Sequence, residues 1–245
     1  MTGTAPDPLA PDKGRDVRRM FASIAPRYDL LNRLLSAGQD QRWRRRVVAA
    51  LPPLRAGDRV LDLCSGTGDL ALAIERAAPP GTRVHASDFC EDMLARLPAK
   101  AARVGCIPRL AVADALALPY APARFRAVTV AFGLRNVQDP AAAVGEMARV
   151  LSPGGRLLIL EFSRPEGRVF GPLYRAYLFG VLPRIGRLLS GSRIDAYRYL
   201  PDSVWAFAGA RELATVLTGH GLSVLSQRRL LGGAVLLHVA EKPAP

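Results

Sequence analysis

The sequence predicts an α/β domain built on a doubly wound parallel sheet that ends in an antiparallel hairpin, seven strands in all. Three observations carry that prediction. From Arg59 onward, short β-rich runs alternate with Ala-rich helical stretches, the pattern of right-handed β-α-β crossovers. The first run passes through Leu63-Cys64-Ser65-Gly66-Thr67-Gly68 into a helix, which is where an open α/β sheet takes its ligand. The last two runs are joined by Gly232-Gly233, a link so short that the strands must be antiparallel.

In chain order, residues 1–15 are Pro- and Gly-rich and read as a mobile tail. Residues 16–53 read as a helical cap. Val17, Met20, Phe21 and Ile24 share one helical face, a second helix covers 28–35, and a third covers 39–51 with Trp43, Val47 and Val48 as its stripe, closed by Pro52-Pro53. Residues 54–165 hold five strands, at 59–63, 83–87, 110–113, 127–132 and 156–162, with helices at 69–77, 91–101 and 140–150. Residues 166–210 interrupt the alternation. They contain Phe170, Tyr174, Tyr177, Phe179, Tyr197, Tyr199, Trp205 and Phe207, half of the aromatic residues in the chain, and read as a lid. Residues 211–245 complete the core with a helix at 211–220 and the hairpin strands at 222–231 and 234–240.

Charge and composition bound the possibilities. The net charge of +13 raises the question of a polyanionic partner, but 31 of the 34 basic residues are Arg, a bias that GC-rich coding tends to produce. With 49% hydrophobic and 22% charged residues, the chain is too apolar for disorder. The opening residues lack the pattern of a signal peptide, and no apolar run has transmembrane length, so a cytoplasmic or peripheral protein is expected. Cys64, Cys90 and Cys106 form no close pair and His85, His220 and His238 are scattered, so neither a disulfide framework nor a metal site is expected.

The glycine turn is the candidate ligand site. Gly66, Thr67 and Gly68 stand between a strand and a helix N-terminus, where oriented amides and close backbone approach suit a nucleotide. A dinucleotide fingerprint would place a third Gly where Ala71 stands. Asp88 ends the second strand, placed to bond both ribose hydroxyls of an adenosine, and Asp114-Ala115 ends the third, placed to meet adenine. Each acid could instead cap the helix that follows it; their recurrence at successive strand ends favours the adenosine reading. Asp62 and Asp69 can serve the ligand or brace the turn. A parallel sheet closed by an antiparallel hairpin is the order of class I, Rossmann-like S-adenosylmethionine-dependent methyltransferases, whereas a nicotinamide-binding domain continues parallel.

Longer motifs add a family resemblance. Tyr28-Asp29-Leu30-Leu31-Asn32-Arg33-Leu34-Leu35-Ser36 with Trp43, the Leu-Cys-Ser-Gly-Thr-Gly-Asp turn, Phe132-Gly133-Leu134-Arg135-Asn136-Val137, and 149–156 running on to Leu160-Glu161-Phe162-Ser163 are similar to the menaquinone/ubiquinone biosynthesis C-methyltransferase family. The run Tyr197-Arg198-Tyr199-Leu200 and the final strand also resemble it, so the similarity spans about Val17 to Lys242. Many members have His where Asp40 stands and Ser where Ala131 stands.

The resemblance implies S-adenosyl-L-methionine as methyl donor and a polyprenyl quinol as substrate, demethylmenaquinol being favoured by Asp40 and the ubiquinone-pathway benzoquinol being the alternative. Methylation of a ring carbon needs phenolate character in the quinol. On this reading Arg135 stabilises the phenolate, Asn136 orients a hydroxyl or water, and Tyr28, Asp29 or a water held by Arg135 assists proton removal. The lid aromatics and the arginines at 42–46 and 164–198, including Arg184 and Arg187, would meet the inner face of an anionic cytoplasmic membrane. No nucleic-acid partner is expected, since Phe132-Gly133-Leu134-Arg135-Asn136 stands where an Asn/Asp-Pro-Pro-Tyr/Phe motif would lie. A nucleotide-binding protein without catalysis is the reading of a different class, and a homodimer is left open.

Overall fold

The protein is described from a computed structural model that covers residues 6–7, 10, 12–105, 108–182, 184 and 196–244. Cys106, Arg187 and most of the expected tail lie outside these residues. The strands are β1 (Arg59–Leu63), β2 (Arg83–Asp88), β3 (Arg109–Val112), β4 (Phe125–Ala131), β5 (Leu151–Phe162), β6 (Ser223–Leu230) and β7 (Val235–Glu241). They form one sheet in the order β3-β2-β1-β4-β5-β7-β6. Val60, Leu61 and Leu63 of β1 are all but fully buried, as a central strand covered on both faces requires.

The hairpin is present, with one refinement. β7 inserts between β5 and β6 and pairs antiparallel with both, so β7 alone runs against the sheet and β6 points with the parallel strands. The expected helix at 91–101 is two helices, α5 (Glu91–Leu94) and α6 (Leu97–Val104). Pro98 has no N–H to return to the carbonyl of Leu94, so one continuous helix cannot form there.

Helices cover the two faces. On one, Val144, Met147 and Val150 of α7 (Pro140–Val150) and Leu213 and Leu217 of α10 (Ala210–Gly219) pack on Leu61, Val128 and Leu157. On the other, Trp43 and Val47 of α3 (Gln39–Ala49) and Leu70 and Ile74 of α4 (Asp69–Ala77) pack on Val60, Ala127 and Leu158.

Cap and lid make a further layer at the carboxyl ends of the strands. Helix α1 (Lys13–Ile24) starts within the stretch read as tail, and its Val17, Met20 and Ile24 pack on Tyr199 of α9 (Ala196–Ala206). Leu31 of α2 (Tyr28–Leu35) packs with Tyr174 of α8 (Phe170–Ala176) and with Leu178, in the π-helical turn Tyr177–Val181 that continues α8. Tyr174, Tyr199 and Phe207 are buried, so part of the lid's aromatic content is core, whereas Phe170 and Phe179 are exposed.

Where β1 and β4 end side by side, the backbone leaves no slack. Cys64 and Phe132 both have left-handed backbones, at φ 53° and 59°. A Cβ on Gly133 would lie 2.3 Å from the Cβ of Cys64. Neither atom belongs to a flexible chain end, so the collision can be relieved only by moving backbone. Gly133→Ala should destabilise the fold by about 1–3 kcal/mol, the usual cost of overpacking, read as a lowered thermal midpoint. An unchanged midpoint would show that the two strand ends can part freely.

Candidate active site

The ends of β1 to β4 and the inner face of α1 line an open cleft, about 810 Å³ of space with the adjoining solvent included. Five of the predicted site residues that line it are Gly66, Asp88, Asp114, Ala115 and Asn136, and Tyr28 is the sixth. Gly66 adopts φ 56°, and its N–H donates to Asp88 Oδ2 at 2.7 Å. The other Asp88 oxygen accepts from the Cys90 amide, also at 2.7 Å. Burial raises the Asp88 carboxyl above its ordinary range, while these amide bonds pull it back. Asp114 accepts from the Leu116 amide at 2.9 Å in a turn that no helix follows, so the helix-cap alternative fails there. It also fails at Asp88, because Cys90 is the residue that caps α5.

Two predicted residues work on the far side of the turn. Gly68 has φ 86°, and a Cβ there would strike Leu97 Cδ1 at 2.3 Å, so this glycine serves the packing of α6. The Thr67 hydroxyl donates to Asp29 Oδ1 at 2.5 Å and accepts from Lys100 Nζ at 3.1 Å. Lys100 also binds Asp29 Oδ2 at 2.8 Å and pairs with Asp69. Asp29 is thereby engaged with the core, and Asp69 braces the turn.

At the end of β4, Asn136 and Arg135 diverge. Asn136 lines the cleft, and its buried Oδ1 has no hydrogen-bond partner among the described residues. Arg135 is not part of the cleft wall. Its buried guanidinium donates to Glu161 Oε1 at 2.9 Å, to the Phe132 carbonyl at 2.5 Å and to Ser203 Oγ at 3.3 Å, and lies 5.3 Å from the centre of the Phe162 ring. Tyr28 stands between the main cleft and a smaller one and meets the Phe21 ring edge-on. Burial raises the Tyr28 hydroxyl above its ordinary value, so it remains protonated at neutral pH.

The smaller cleft is polar and includes Arg44, Asp62, Asp69 and Thr67 in its walls. Asp62 Oδ1 accepts from the Thr129 hydroxyl at 2.7 Å, and its buried Oδ2 has no partner among the described residues. Both clefts reach Ala131, whose methyl offers a ligand no hydrogen bond. Sequence reasoning did not select Arg18, Phe89, Met93 and Gln138, which line the main cleft. Phe89 could have been found from its place beside Asp88; Arg18 and Gln138 carry no local signal, because folding alone brings α1 and the loop after β4 together.

Residues 10–242 match the ubiE/COQ5 methyltransferase family. The chain belongs to that family. The methyltransferase is 50% identical over 224 residues to the demethylmenaquinone methyltransferase of Thermus thermophilus, covering 91% of this chain and 100% of that one. It is 46% identical over 231 residues to the demethylmenaquinone methyltransferase of Deinococcus radiodurans, covering 94% of each. It is 43% identical over 233 residues to the ubiquinone/menaquinone biosynthesis C-methyltransferase UbiE of Geobacter sulfurreducens, covering 94% of this chain and 90% of that one. Among solved structures, its fold is similar to that of the cyclase SpnF, with a TM-score of 0.68 at 19% identity over 98% of this chain and 100% of that one. The methyl donor of this methyltransferase is S-adenosylmethionine.

The residues present fit that donor. A clamped acidic residue stands at the end of β2, Asp114 stands just past the end of β3, and the small cleft holds a carboxylate oxygen without a hydrogen-bond partner among the described residues. Burial pushes Asp62 up to about 7. Across the window from the ordinary carboxylate value to about 7, the folded chain keeps a proton that the unfolded chain releases, so Asp62 costs stability as pH rises through that window. Asp62→Asn removes this dependence. Relative to wild type, the variant should gain about 2–3 kcal/mol between pH 5 and pH 8, measured by denaturant unfolding at both pH values. A constant difference would mean that Asp62 is ionised throughout.

Proposed function

We propose that the methyltransferase transfers a methyl group to a ring carbon of demethylmenaquinol, with Asn136 as the residue that touches the quinol ring system. The observation carrying this reading is the buried, unpartnered Asn136 Oδ1 in the cleft beside the glycine turn. Two relatives named demethylmenaquinone methyltransferase, at 46% and 50% identity over nearly the whole chain, support the choice of substrate. S-adenosylmethionine supplies an activated methyl on sulfur, which leaves the protein to place the ring and favour phenolate character. Asn136 accepts a hydrogen bond from a ring hydroxyl and holds it in register. Tyr28, kept protonated by its burial, donates a hydrogen bond and is a poor base at neutral pH. Asp29 is occupied by Thr67 and Lys100 and is not free to take the proton.

Arg135 takes a different part from the one its sequence position suggests. Its charge is matched by Glu161, and its bond to the Phe132 carbonyl fixes the end of β4. Here Arg135 is a positioning residue that holds Phe132 and Asn136 against the cleft. Lys13 supports the same loop by donating to the carbonyls of Arg135 and Val137 at 2.9 and 2.8 Å.

Methylation assays should offer demethylmenaquinol and 2-polyprenyl-6-methoxy-1,4-benzoquinol under reducing conditions. Turnover of the naphthoquinol is expected, and turnover of the benzoquinol alone would overturn the substrate assignment. Asn136→Ala should lower kcat by about a hundredfold with cofactor affinity kept; full turnover would remove Asn136 from the reaction.

A lipid-tailed substrate calls for a route from the membrane. No described helix is long and apolar enough to cross one. α2 and the π-helical turn lie side by side, the Tyr177 hydroxyl donating to the Leu35 carbonyl at 3.4 Å. Leu30 and Leu34 of α2, Val169 and Leu173 at the start of and within α8, and Val181 of the turn are exposed. In this proposal they rest on the inner face of the cytoplasmic membrane. The double variant Leu30→Glu/Leu34→Glu should lose co-sedimentation with anionic liposomes, and equal sedimentation of variant and wild type would sink the membrane assignment.

A further inference from the structure

The run of arginines at 42–46 has one member that does not face solvent. Arg42, Arg45 and Arg46 are exposed, whereas Arg44 turns inward, its side chain 12% accessible, into the wall of the small polar cleft. Helix α3 begins after Gly38, at φ 73°, and its first turn is built to hold that arginine. The Ser36 hydroxyl donates to Asp40 Oδ1 at 3.0 Å and accepts from the Asp40 amide at 3.3 Å. Asp40 Oδ2 then accepts from Arg44 Nη1 at 2.6 Å. The neighbouring ion pairs of the cap are of another kind: Asp12 with Arg15 and Asp16 with Arg19 are exposed and 3.8 and 3.6 Å apart.

A tight, buried ion pair is a poor source of stability, and what it secures is the direction of the guanidinium. Asp40 takes one of the five N–H groups, and the same guanidinium also lies within electrostatic reach of Asp62 and Asp69. The planar fork that remains suits a carboxylate. Across the cleft stand Asp62, with its unpartnered Oδ2, and Asp69, which Lys100 occupies. A cleft with a directed cation on the cap and an unsatisfied carboxylate on β1 matches a zwitterion, and the donor of this methyltransferase carries one at its amino-acid end.

We propose that Arg44 binds the α-carboxylate of S-adenosylmethionine and that Asp40 is the residue that positions it. The cofactor site is then shared between the α/β core, which holds the adenosine, and the third helix of the cap, which holds the amino acid. The competing arrangement places the carboxylate elsewhere on the turn, where the Ser65, Gly66 and Gly68 amides already donate within the protein, and leaves Arg44 a structural role.

Calorimetric titration with S-adenosylhomocysteine and with 5′-methylthioadenosine separates the two, because the second ligand keeps the nucleoside and thioether but has no amino acid. Arg44→Leu should weaken S-adenosylhomocysteine by about ten- to a hundredfold and leave methylthioadenosine within about twofold, which also shows that the variant is folded. Arg44→Lys should recover part of the loss. Asp40→Asn should give a smaller loss with the same preference for the ligand that has the amino acid. Equal weakening of both ligands by Arg44→Leu, or no weakening of either, would overturn the proposal. Failure of the wild-type protein to bind S-adenosylhomocysteine would overturn the cofactor assignment on which it rests.

Discussion

Each oxygen of the Asp88 carboxylate accepts one backbone N–H, from Gly66 and from Cys90, and this clamp sets the distance between the first two strand ends. Much of the site depends on it. Gly66 is held at a φ that favours glycine, and the turn before it carries Cys64 in a left-handed conformation that costs about 1–3 kcal/mol. Such strain persists only where the surroundings over-determine the backbone, and here the Asp88 bonds and the contact between Gly133 and Cys64 do so from two sides. A carboxylate oxygen has two acceptor directions, so the clamp does not exhaust the acceptor capacity of Asp88. The same group therefore builds the turn and lines the cleft, and the raised proton affinity of Asp88 reflects its burial there.

The cap docks on this turn through polar groups at the site itself. Asp29 reaches from α2 to Thr67 and Lys100, and Lys13 reaches from α1 to the loop after β4, where Gln138 also accepts from the Gly14 amide. Cap position and site geometry are consequently one variable, since any shift of α1 or α2 pulls on residues that touch the cleft. Some apolar contacts of the cap run sideways to the lid, through Val17, Met20 and Ile24 on Tyr199 and through Leu31 on Tyr174, while Trp43 and Val47 pack on the sheet and Ala25 packs with Cys90 and Met93. Cap and lid thus share apolar contacts, and the cap is tied to the core both by the packing of Trp43 and Val47 on the sheet and by these hydrogen bonds and ion pairs beside the clefts.

How much of this was legible in the sequence follows from how local each feature is. The glycine turn, Asp88 and Asp114 were legible because strand periodicity and turn chemistry place them without reference to the rest of the chain. The break between α5 and α6 was present in Pro98 as a missing N–H. The insertion of β7 between β5 and β6 was not legible, because a short link sets the hairpin's internal direction and says nothing about which of its strands joins the sheet. Arg135 shows the same limit for a side chain. Its position at the end of β4 suggests the cleft, but its direction is set by Glu161 on the next strand and Ser203 in the lid, partners that only the folded chain brings together. Gly68 was recognised as a glycine of the turn, while the reason for it, Leu97, belongs to another helix.

The surplus of positive charge divides along the same line. Buried ion pairs rarely stabilise a fold beyond what apolar residues of the same size would achieve, because desolvation offsets the attraction. Two such pairs, Arg135 with Glu161 and Arg44 with Asp40, nevertheless lie beside the clefts, each held by a carboxylate. Matching cancels the charge but leaves direction: a paired guanidinium has one orientation, whereas a solvated one has many. Arg135 thereby fixes a strand end, and Arg44 presents a fork to the smaller cleft. The net charge of +13 resides instead on arginines that face solvent, where screening makes each of them weak alone. A surface of that kind can attract an anionic membrane collectively while specifying nothing about the quinol or the cofactor, which the inward-facing minority must do.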